Sequence, residues 1–176
     1  HGRSMGAFVT FAAYTALRVG EMYGLEWDDI DFKLNRINVQ RRVYRGQTDL
    51  PKSNRPRLVV LTPPAKEALI GLNRASQWVF TNKRGNRLSQ SAVSYAFEGI
   101  RGAFGRHVTP HELKHFTGYY LFVILGLPDR VVAEQLGHTD GGKLVRTLYG
   151  HGNIGALEAI DRAFENVVPL RRSQEQ

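Results

Sequence analysis

The side chains best suited to chemistry lie close together between residues 108 and 115. His111, Lys114 and His115 are spaced i, i+3 and i+4, so a helix would carry all three on one face. The start of a helix presents unpaired N–H groups and a positive partial charge, and both favour a bound phosphate. Two imidazoles and an ammonium at such a helix end therefore indicate an anion-binding site.

The residues around this run predict that the helix begins abruptly at residue 109. Thr109 is suited to cap the helix, Pro110 to occupy its first position, and Glu112 stands three residues after the cap. Val108 and Leu113 have the spacing of a hydrophobic staple across that cap. These signals fix where the first turn, and with it the candidate anion site, begins.

The same run also contains the H-E-x-x-H pattern of zinc proteases. Gly118 follows at the spacing that metzincins use, but the position of their third histidine holds Leu121. Glu134 is only loosely placed for the downstream glutamate of other zincins. Two interpretations of the run therefore compete, a DNA phosphoryl-transfer site and a zinc protease, and the short zinc pattern recurs by chance.

Four further positions elsewhere in the chain have side chains that could act on a phosphate. Arg18 stands among apolar residues with Glu21 three positions later, which fits either a partnered buried arginine or an ordinary surface ion pair. Lys52 lies near the tip of a basic turn, where a solvated lysine would also be ordinary. His138 ends a Leu-Gly-His sequence. Tyr149 lies next to the apolar side of a short predicted helix, where the alternative is a buried structural tyrosine.

Composition limits the class of protein. The chain has 176 residues, the size of one domain. It contains no cysteine, which excludes disulfides, a thiolate nucleophile and a cysteine zinc site. No signal peptide is visible and no apolar run approaches the roughly 18 residues of a membrane span, so we expect a cytoplasmic protein with no membrane partner. The net charge of +8 fits either a generic basic surface or a polyanion partner such as nucleic acid.

Hydrophobic periodicity predicts a mainly helical chain with a few strands. The helices are expected over 6–23, 65–75, 89–104, 109–125, 131–136, 143–149 and 156–167, and the strands over 36–44, 57–62 and 78–81. In the 143–149 helix, Leu144 and Leu148 are predicted to form the buried side. The fold class is therefore α+β, mainly α-helical with a small antiparallel β-sheet of about three strands at one edge.

The basic residues concentrate around the predicted hairpin. Residues 33–57 contain eight basic side chains and one acid, Asp49, and such a hairpin fits beside a phosphate backbone. A second basic turn follows at 82–87. The side chains expected to contact DNA in these two regions are Arg41, Arg42, Arg45, Arg55, Lys83, Arg84 and Arg87.

The order of the motifs is more specific than any one of them. Thr-Ala-Leu-Arg-x-x-Glu, a lysine in a basic hairpin, His-x-Leu-Lys-His, Leu-Gly-His and Leu-Tyr-Gly-His follow one another between residues 6 and 164. This set resembles the catalytic domain of tyrosine recombinases, the phage-integrase family. The resemblance implies six catalytic residues and two supporting ones: Arg18, Lys52, His111, Lys114, His138 and Tyr149, with Glu21 and His115.

One position departs from the family pattern. The family has a second arginine in its His-x-Leu-Arg-His box, and this chain has Lys114. Lysine keeps the positive charge but loses the planar fork with which arginine grips a phosphate. The resemblance therefore leaves open a DNA-binding module with weak or no cleavage. Gly141 and Gly142 also lengthen the interval before the tyrosine, which suggests a mobile nucleophile segment.

The resemblance implies a site-specific recombinase that cuts and rejoins DNA through a 3′-phosphotyrosine intermediate, with no ATP, metal or other cofactor. Tyr149 would be the nucleophile, and Arg18, Lys114 and His138 would hold the phosphate. His111 would accept the phenol proton, and Lys52 would protonate the departing 5′-hydroxyl. Type IB topoisomerases use a similar tyrosine site, but the Leu-Gly-His and Tyr-x-His endings favour integrases.

The resemblance also implies the organisation and partners of the protein. Residues 1–168 would form the catalytic domain, without the family's N-terminal core-binding domain, and residues 169–176 a disordered polar tail. The expected partner is double-stranded DNA, bound by a homo-tetramer whose 156–167 helices are exchanged between protomers that are monomers when free. A directionality factor is a further candidate partner, and the source would be bacterial or phage-encoded.

Overall fold

The computed structural model describes residues 2–104 and 108–150 of the chain. Its helices are α1 (Gly2–Thr15), α2 (Val19–Tyr23), α3 (Pro63–Ala68), α4 (Gln90–Phe104), α5 (Pro110–Tyr119), α6 (Asp129–Leu136) and α7 (Lys143–Tyr149), with a 3-10 turn at Trp27–Asp29 and a π-helical turn at Tyr120–Ile124. Its strands are β1 (Ile30–Asp31), β2 (Arg36–Val39), β3 (Arg42–Tyr44), β4 (Gln47–Asp49) and β5 (Arg57–Val60). The mainly helical α+β prediction is confirmed.

The strands form two small antiparallel sheets. One has the order β1-β2-β5, with Ile37 opposite Val59, and the other pairs β3 with β4. The prediction of one strand over 36–44 is wrong, because the chain leaves the first sheet after Val39 and pairs again in the second. The strand predicted over 78–81 is reduced to single bridges, Glu26 with Trp78 and Thr81 with Arg87.

The prediction of one helix over 6–23 is also wrong, because the chain breaks between α1 and α2. Ala16 adopts a left-handed backbone with φ of 59°. Arg18 is extended, with φ of −69° and ψ of 147°. The Glu21 carboxylate accepts a hydrogen bond from the Arg18 backbone N–H at 2.8 Å, which closes the first turn of α2. The break places Arg18 between two helices, outside the single helix predicted over 6–23.

The main core lies between α1, the three-stranded sheet and α4. Phe8 and Phe11 are buried and both meet Phe80 edge to face, with ring centroids 5.1 and 5.3 Å apart. Helix α5 packs against α1, and Thr117 anchors it by donating to the Ala13 carbonyl oxygen at 2.6 Å. This packing holds the first turn of α5 near the break after α1.

The start of α5 follows the predicted signals. Thr109 accepts a hydrogen bond from the Glu112 backbone N–H at 3.2 Å, and its own N–H donates to the Glu112 carboxylate at 2.6 Å. The capping box predicted at residue 109 is therefore confirmed. Val108 and Leu113, the predicted staple residues, both pack against the main core. Ser89 likewise caps α4, accepting from the Ala92 N–H at 3.2 Å.

A second, smaller core holds α6 and α7 against the rest of the domain. Its buried members are Ala16, Val132, Ala133, Leu136 and Val145. The prediction that Leu144 and Leu148 form the buried side of α7 is wrong, because they are 40% and 44% exposed while Val145 is fully buried.

Two further predicted helices differ in length from those in the structure. The helix predicted over 65–75 occupies only Pro63–Ala68, and the one predicted over 109–125 becomes α5 and the π-helical turn. The 156–167 helix and the 169–176 tail lie outside the described residues. Within residues 2–104 and 108–150, no helix is long and apolar enough to cross a membrane.

Replacing Val145 by alanine should therefore destabilise the domain more than replacing Leu148. Val145→Ala removes two buried methyl groups, which should lower the free energy of unfolding by about 2 kcal/mol. Leu148→Ala on the same helix should cost less than about 1 kcal/mol, because that side chain is half exposed. Urea unfolding followed by circular dichroism measures both, and a larger loss for Leu148→Ala would contradict the assigned orientation of α7.

Candidate active site

A shallow pocket brings together three of the side chains that the sequence singled out. Arg18, Lys52 and His138 line it, although they are far apart in the chain. Arg18 comes from the break before α2, Lys52 from the turn between β4 and β5, and His138 from the loop after α6. The other lining residues are Ser53, Gly137, Thr139, Asp140 and Leu144. The pocket thus brings together positively charged groups and hydrogen-bond donors that can bind a phosphate.

Two hydrogen bonds to the protein keep the guanidinium of Arg18 at the pocket. Its Nη1 donates to the Glu21 carboxylate at 3.2 Å, and its Nη2 donates to the Gly137 carbonyl oxygen at 3.1 Å. The expected pairing with Glu21 is therefore present, and it is a partly buried contact, not a surface one. The bond to Gly137 also links Arg18 to the loop of His138.

Glu21 has a second arginine that sequence reasoning missed. Arg57 donates from Nη1 and Nη2 to the two carboxylate oxygens of Glu21, at 2.8 and 2.9 Å. Burial by itself raises the pKa of Glu21, but Arg57, and after it Arg18, outweigh that effect and hold the pKa below its ordinary value. The available signal was only indirect, since a buried carboxylate requires compensating charge but does not reveal its source.

Lys114 is buried, and its ammonium does not line the pocket. Nζ donates to the Ala16 carbonyl oxygen at 3.0 Å and also to the Leu136 carbonyl oxygen. Burial is the main reason that the pKa of Lys114 falls to about 7, and the charge of Arg18 contributes. The position differs from the phosphate contact that the resemblance implied, because the buried side chain turns to backbone oxygens. Lys114 instead joins the segments that carry Arg18 and His138.

His138 follows a tight turn at the end of α6. Gly137 has a left-handed backbone with φ of 66°, which ends the helix and turns the next residue toward the pocket. Burial, followed by the charge of Lys114, lowers the pKa of His138 to about 4. The imidazole is therefore neutral at pH 7. Its buried Nδ1 has no hydrogen-bond partner among the residues that the structure describes.

Tyr149 stands at the end of α7 and faces α5. Its hydroxyl lies 2.9 Å from Nδ1 of His115, whose Nε2 lies 3.0 Å from Nε2 of His111. The ring also packs on Gly118, where an added Cβ would lie 2.7 Å from the phenol. Burial raises the pKa of Tyr149. The imidazole that contacts the phenol is thus His115, to which the resemblance gave a supporting role. His111 contacts His115 and reaches the phenol only through it.

One set of neutral tautomers satisfies both contacts in this row. The Tyr149 hydroxyl donates to His115 Nδ1, and His115 Nε2–H donates to Nε2 of the exposed His111. Burial is the largest cause that lowers the pKa of His115, which favours the neutral ring that such a row needs. The row connects a half-buried phenol to solvent through two imidazoles.

The basic side chains expected to contact DNA fall into two groups. Arg41 is engaged inside the protein, donating to Asp29 at 2.6 Å and to the Gly24 carbonyl oxygen at 3.0 Å, and Arg42 pairs with Asp49 at 2.9 Å. The other five lie at the surface, with Arg45 and Arg87 lining one depression: Arg45, Arg55, Lys83, Arg84 and Arg87.

No group of three or more histidine, aspartate or glutamate side chains is placed to hold a metal ion within the part of the chain that the structure describes. His111 and His115 instead contact each other and Tyr149. The H-E-x-x-H interpretation therefore has two facing histidines but no third ligand among those residues.

The chain belongs to the phage integrase family, whose sequence profile matches residues 3–153. Tyrosine recombinase XerC of Haemophilus influenzae is 31% identical over 160 residues, which are 85% of this chain and 50% of that protein. Prophage integrase IntR of Escherichia coli K12 is 26% identical over 171 residues, 80% of this chain and 41% of that protein. The chain thus spans half or less of the length of these relatives.

A solved structure shows the same fold. The Tn1549 transposon integrase, in complex with circular intermediate DNA, superimposes with a TM-score of 0.72 at 17% identity, covering 90% of this chain and 59% of that one. At this level of identity the likeness establishes the catalytic-domain fold alone. The fold that the motif order implied is therefore confirmed.

Replacing Lys114 by methionine should change how stability depends on pH. A lysine whose pKa is about 7 in the folded protein and 10.5 as its ordinary value makes folding more favourable as pH rises, because the unfolded chain keeps a proton that the folded one has released. Between pH 7 and 9 the unaltered protein should gain about 2 kcal/mol over Lys114→Met.

Urea unfolding at several pH values measures this difference. Lys143→Met, which removes an exposed lysine, is the matched control and should leave the pH dependence as in the unaltered protein. Parallel curves for the unaltered protein and Lys114→Met would show that Lys114 does not release its proton in this range.

Proposed function

We propose that the chain is the catalytic domain of a site-specific DNA recombinase that forms a phosphotyrosine intermediate. The observation that carries the proposal is the pocket of Arg18, Lys52 and His138, together with a tyrosine whose hydroxyl contacts an imidazole. Cleavage of a phosphodiester needs three functions together: neutralisation of the charge on the phosphate oxygens, a nucleophile, and a proton for the leaving oxygen.

The phosphate binds in the pocket, where Arg18 meets its non-bridging oxygens with a guanidinium held by Glu21 and Gly137. His138 is neutral at pH 7, so it contributes an N–H donor and no charge. Lys52 lies on an exposed turn at the same pocket, where its ammonium can reach the leaving 5′-oxygen. Positive charge thus lies where negative charge develops in the transition state.

The nucleophile is the phenol oxygen of Tyr149. As this oxygen bonds to phosphorus, its proton passes to His115 Nδ1, and the bond from phosphorus to the 5′-oxygen breaks. The 5′-oxygen takes a proton from Lys52 and leaves as a hydroxyl. The 5′-hydroxyl of another strand then attacks the phosphotyrosine, the same proton transfers run in reverse, and the DNA backbone is restored.

This chemistry defines the remaining partners. Double-stranded DNA is the substrate, and the exposed basic side chains Arg45, Arg55, Lys83 and Arg84, with the partly buried Arg87, supply the salt-dependent part of its binding. Exchange of strands between two duplexes requires several copies of the nucleophile, so a homo-tetramer acts on DNA. The reaction balances without ATP or a redox step. The bacterial and prophage sources of the similar recombinases support a protein that acts on the DNA of a bacterial cell or phage.

Covalent trapping on nicked duplexes tests the nucleophile. A library of duplexes with a nick and a randomised central sequence would be incubated with the full chain and washed in denaturant. The unaltered protein should retain DNA, and Tyr149→Phe should lower the retained DNA at least about 1000-fold, because it lacks the attacking oxygen.

Tyr120→Phe is the matched control, since it removes a hydroxyl from an exposed tyrosine near the same helix, and it should retain DNA normally. Equal retention by Tyr149→Phe would assign the covalent bond to another residue. Absence of a covalent product from the unaltered protein on every sequence would contradict the recombinase.

A second function has its own supporting observation, the inward ammonium of Lys114. If the missing arginine fork is essential, the chain is a DNA-binding module that does not cleave. It would then bind the same duplexes at low salt, release them as salt is raised, and leave no denaturant-resistant product.

The role of His115 is tested by the pH dependence of cleavage. His115→Asn places an amide where Nδ1 lies, so it keeps a polar contact but cannot take a proton. Cleavage should fall by about 100-fold or more. In the unaltered protein the rate should rise with pH through a pKa below 6.5, because burial lowers the pKa of His115 and only the neutral ring accepts a proton.

The acidic limb of that profile should disappear in His115→Asn. His111→Asn is the control, because His111 reaches the phenol only through His115. The pH profile of its cleavage rate should keep the acidic limb. Single-turnover rates of adduct formation between pH 4.5 and 8 give both results. A His115→Asn profile that matches the unaltered protein in rate and shape would remove His115 from the mechanism.

A further inference from the structure

Arg57 is the first residue of β5 and makes the most constrained contact in the site. Its guanidinium meets both oxygens of Glu21 in a two-point arrangement, at 2.8 and 2.9 Å. The Glu21 side chain is 1% exposed and that of Arg57 is 14% exposed. A paired contact of this kind fixes orientation as well as charge, so the Glu21 carboxylate has one available position.

That position determines where Arg18 stands. One carboxylate oxygen accepts from Arg57 Nη1 and Arg18 Nη1, and the other accepts from Arg57 Nη2 and the Arg18 backbone N–H. Each oxygen of Glu21 therefore binds both arginines. Arg57 does not line the pocket, so it acts on the pocket through Glu21 and Arg18.

Arg57 also supports the loop that carries His138. An added Cβ on Gly137 would lie 2.6 Å from both Cζ and Nε of Arg57, so the guanidinium occupies the space beside this glycine. The Gly137 carbonyl oxygen accepts from Arg18 Nη2 at 3.1 Å. The backbone before His138 is therefore held between two arginines.

We propose that Arg57 is a positioning residue of the recombination site, which aligns Arg18 and the His138 loop for the phosphate. The proposal rests on the proposed function for its catalytic consequence, but the alignment of Arg18 is a property of the free protein. An arginine is required at this position because lysine would supply charge at one point and leave the carboxylate free to turn.

The alignment can be measured without DNA. Relaxation of the Arg18 Nε–H group by nuclear magnetic resonance reports whether its guanidinium is fixed, in the unaltered protein and in Arg57→Lys. The Arg18 side chain should be rigid in the first and mobile in the second. Arg42→Lys is the matched control, since Arg42 pairs with the exposed Asp49 on the neighbouring hairpin, and it should leave Arg18 rigid.

A double-mutant cycle measures the consequence for catalysis. At saturating DNA, Arg57→Lys should slow adduct formation by about 100-fold, the loss expected from misplacing a catalytic group by about 1 Å, with DNA affinity changed less than about threefold. In an Arg18→Lys background the same substitution should have little further effect, because Arg57 acts through Arg18. Thermal unfolding confirms that each variant is folded.

The outcomes separate the two proposals. An Arg18 side chain that stays rigid in Arg57→Lys overturns the positioning role, and so does an equal slowing of cleavage in both backgrounds, which would indicate a general structural effect. If the unaltered protein forms no adduct, the proposed recombinase function fails, whereas the relaxation measurement still decides whether Arg57 positions Arg18.

Discussion

A buried carboxylate with two arginines is the interaction on which the site depends. Glu21 is almost inaccessible to solvent, and its pKa stays below the ordinary value because Arg57 and Arg18 outweigh the cost of burial. Losing either arginine would leave a buried anion partly uncompensated, which is far more costly than losing a surface pair. The carboxylate thus joins α2, β5 and the loop after α6 at the point where the pocket opens.

Lys114 also links the segments that carry Arg18 and His138. Its ammonium bridges the carbonyl groups of Ala16 and Leu136, which belong to the break after α1 and the end of α6. The charged form is unfavourable there, as the lowered pKa shows. The two arginines around one carboxylate leave an excess of positive charge, and a phosphate in the pocket would offset it.

Tyr149, the proposed nucleophile, is organised separately from the pocket. Tyr149 is held by α5 through His115 and Gly118, and α7 is held by Val145 in the smaller core. The left-handed glycines Gly141 and Gly142 allow the chain to turn between His138 and this helix. The pocket and the row of Tyr149, His115 and His111 are therefore built on different elements.

The sequence by itself determined the mainly helical α+β class, the capped start of α5 and the motif order that identifies the family, because caps, turns and spacings act over a few residues. Only the tertiary structure decided that Arg57 shares Glu21, that Lys114 turns inward and that His115 contacts Tyr149. Arg57 and Glu21 are 36 residues apart, and no local pattern links them. The direction of a long side chain depends on which carbonyls and charges the fold brings near it.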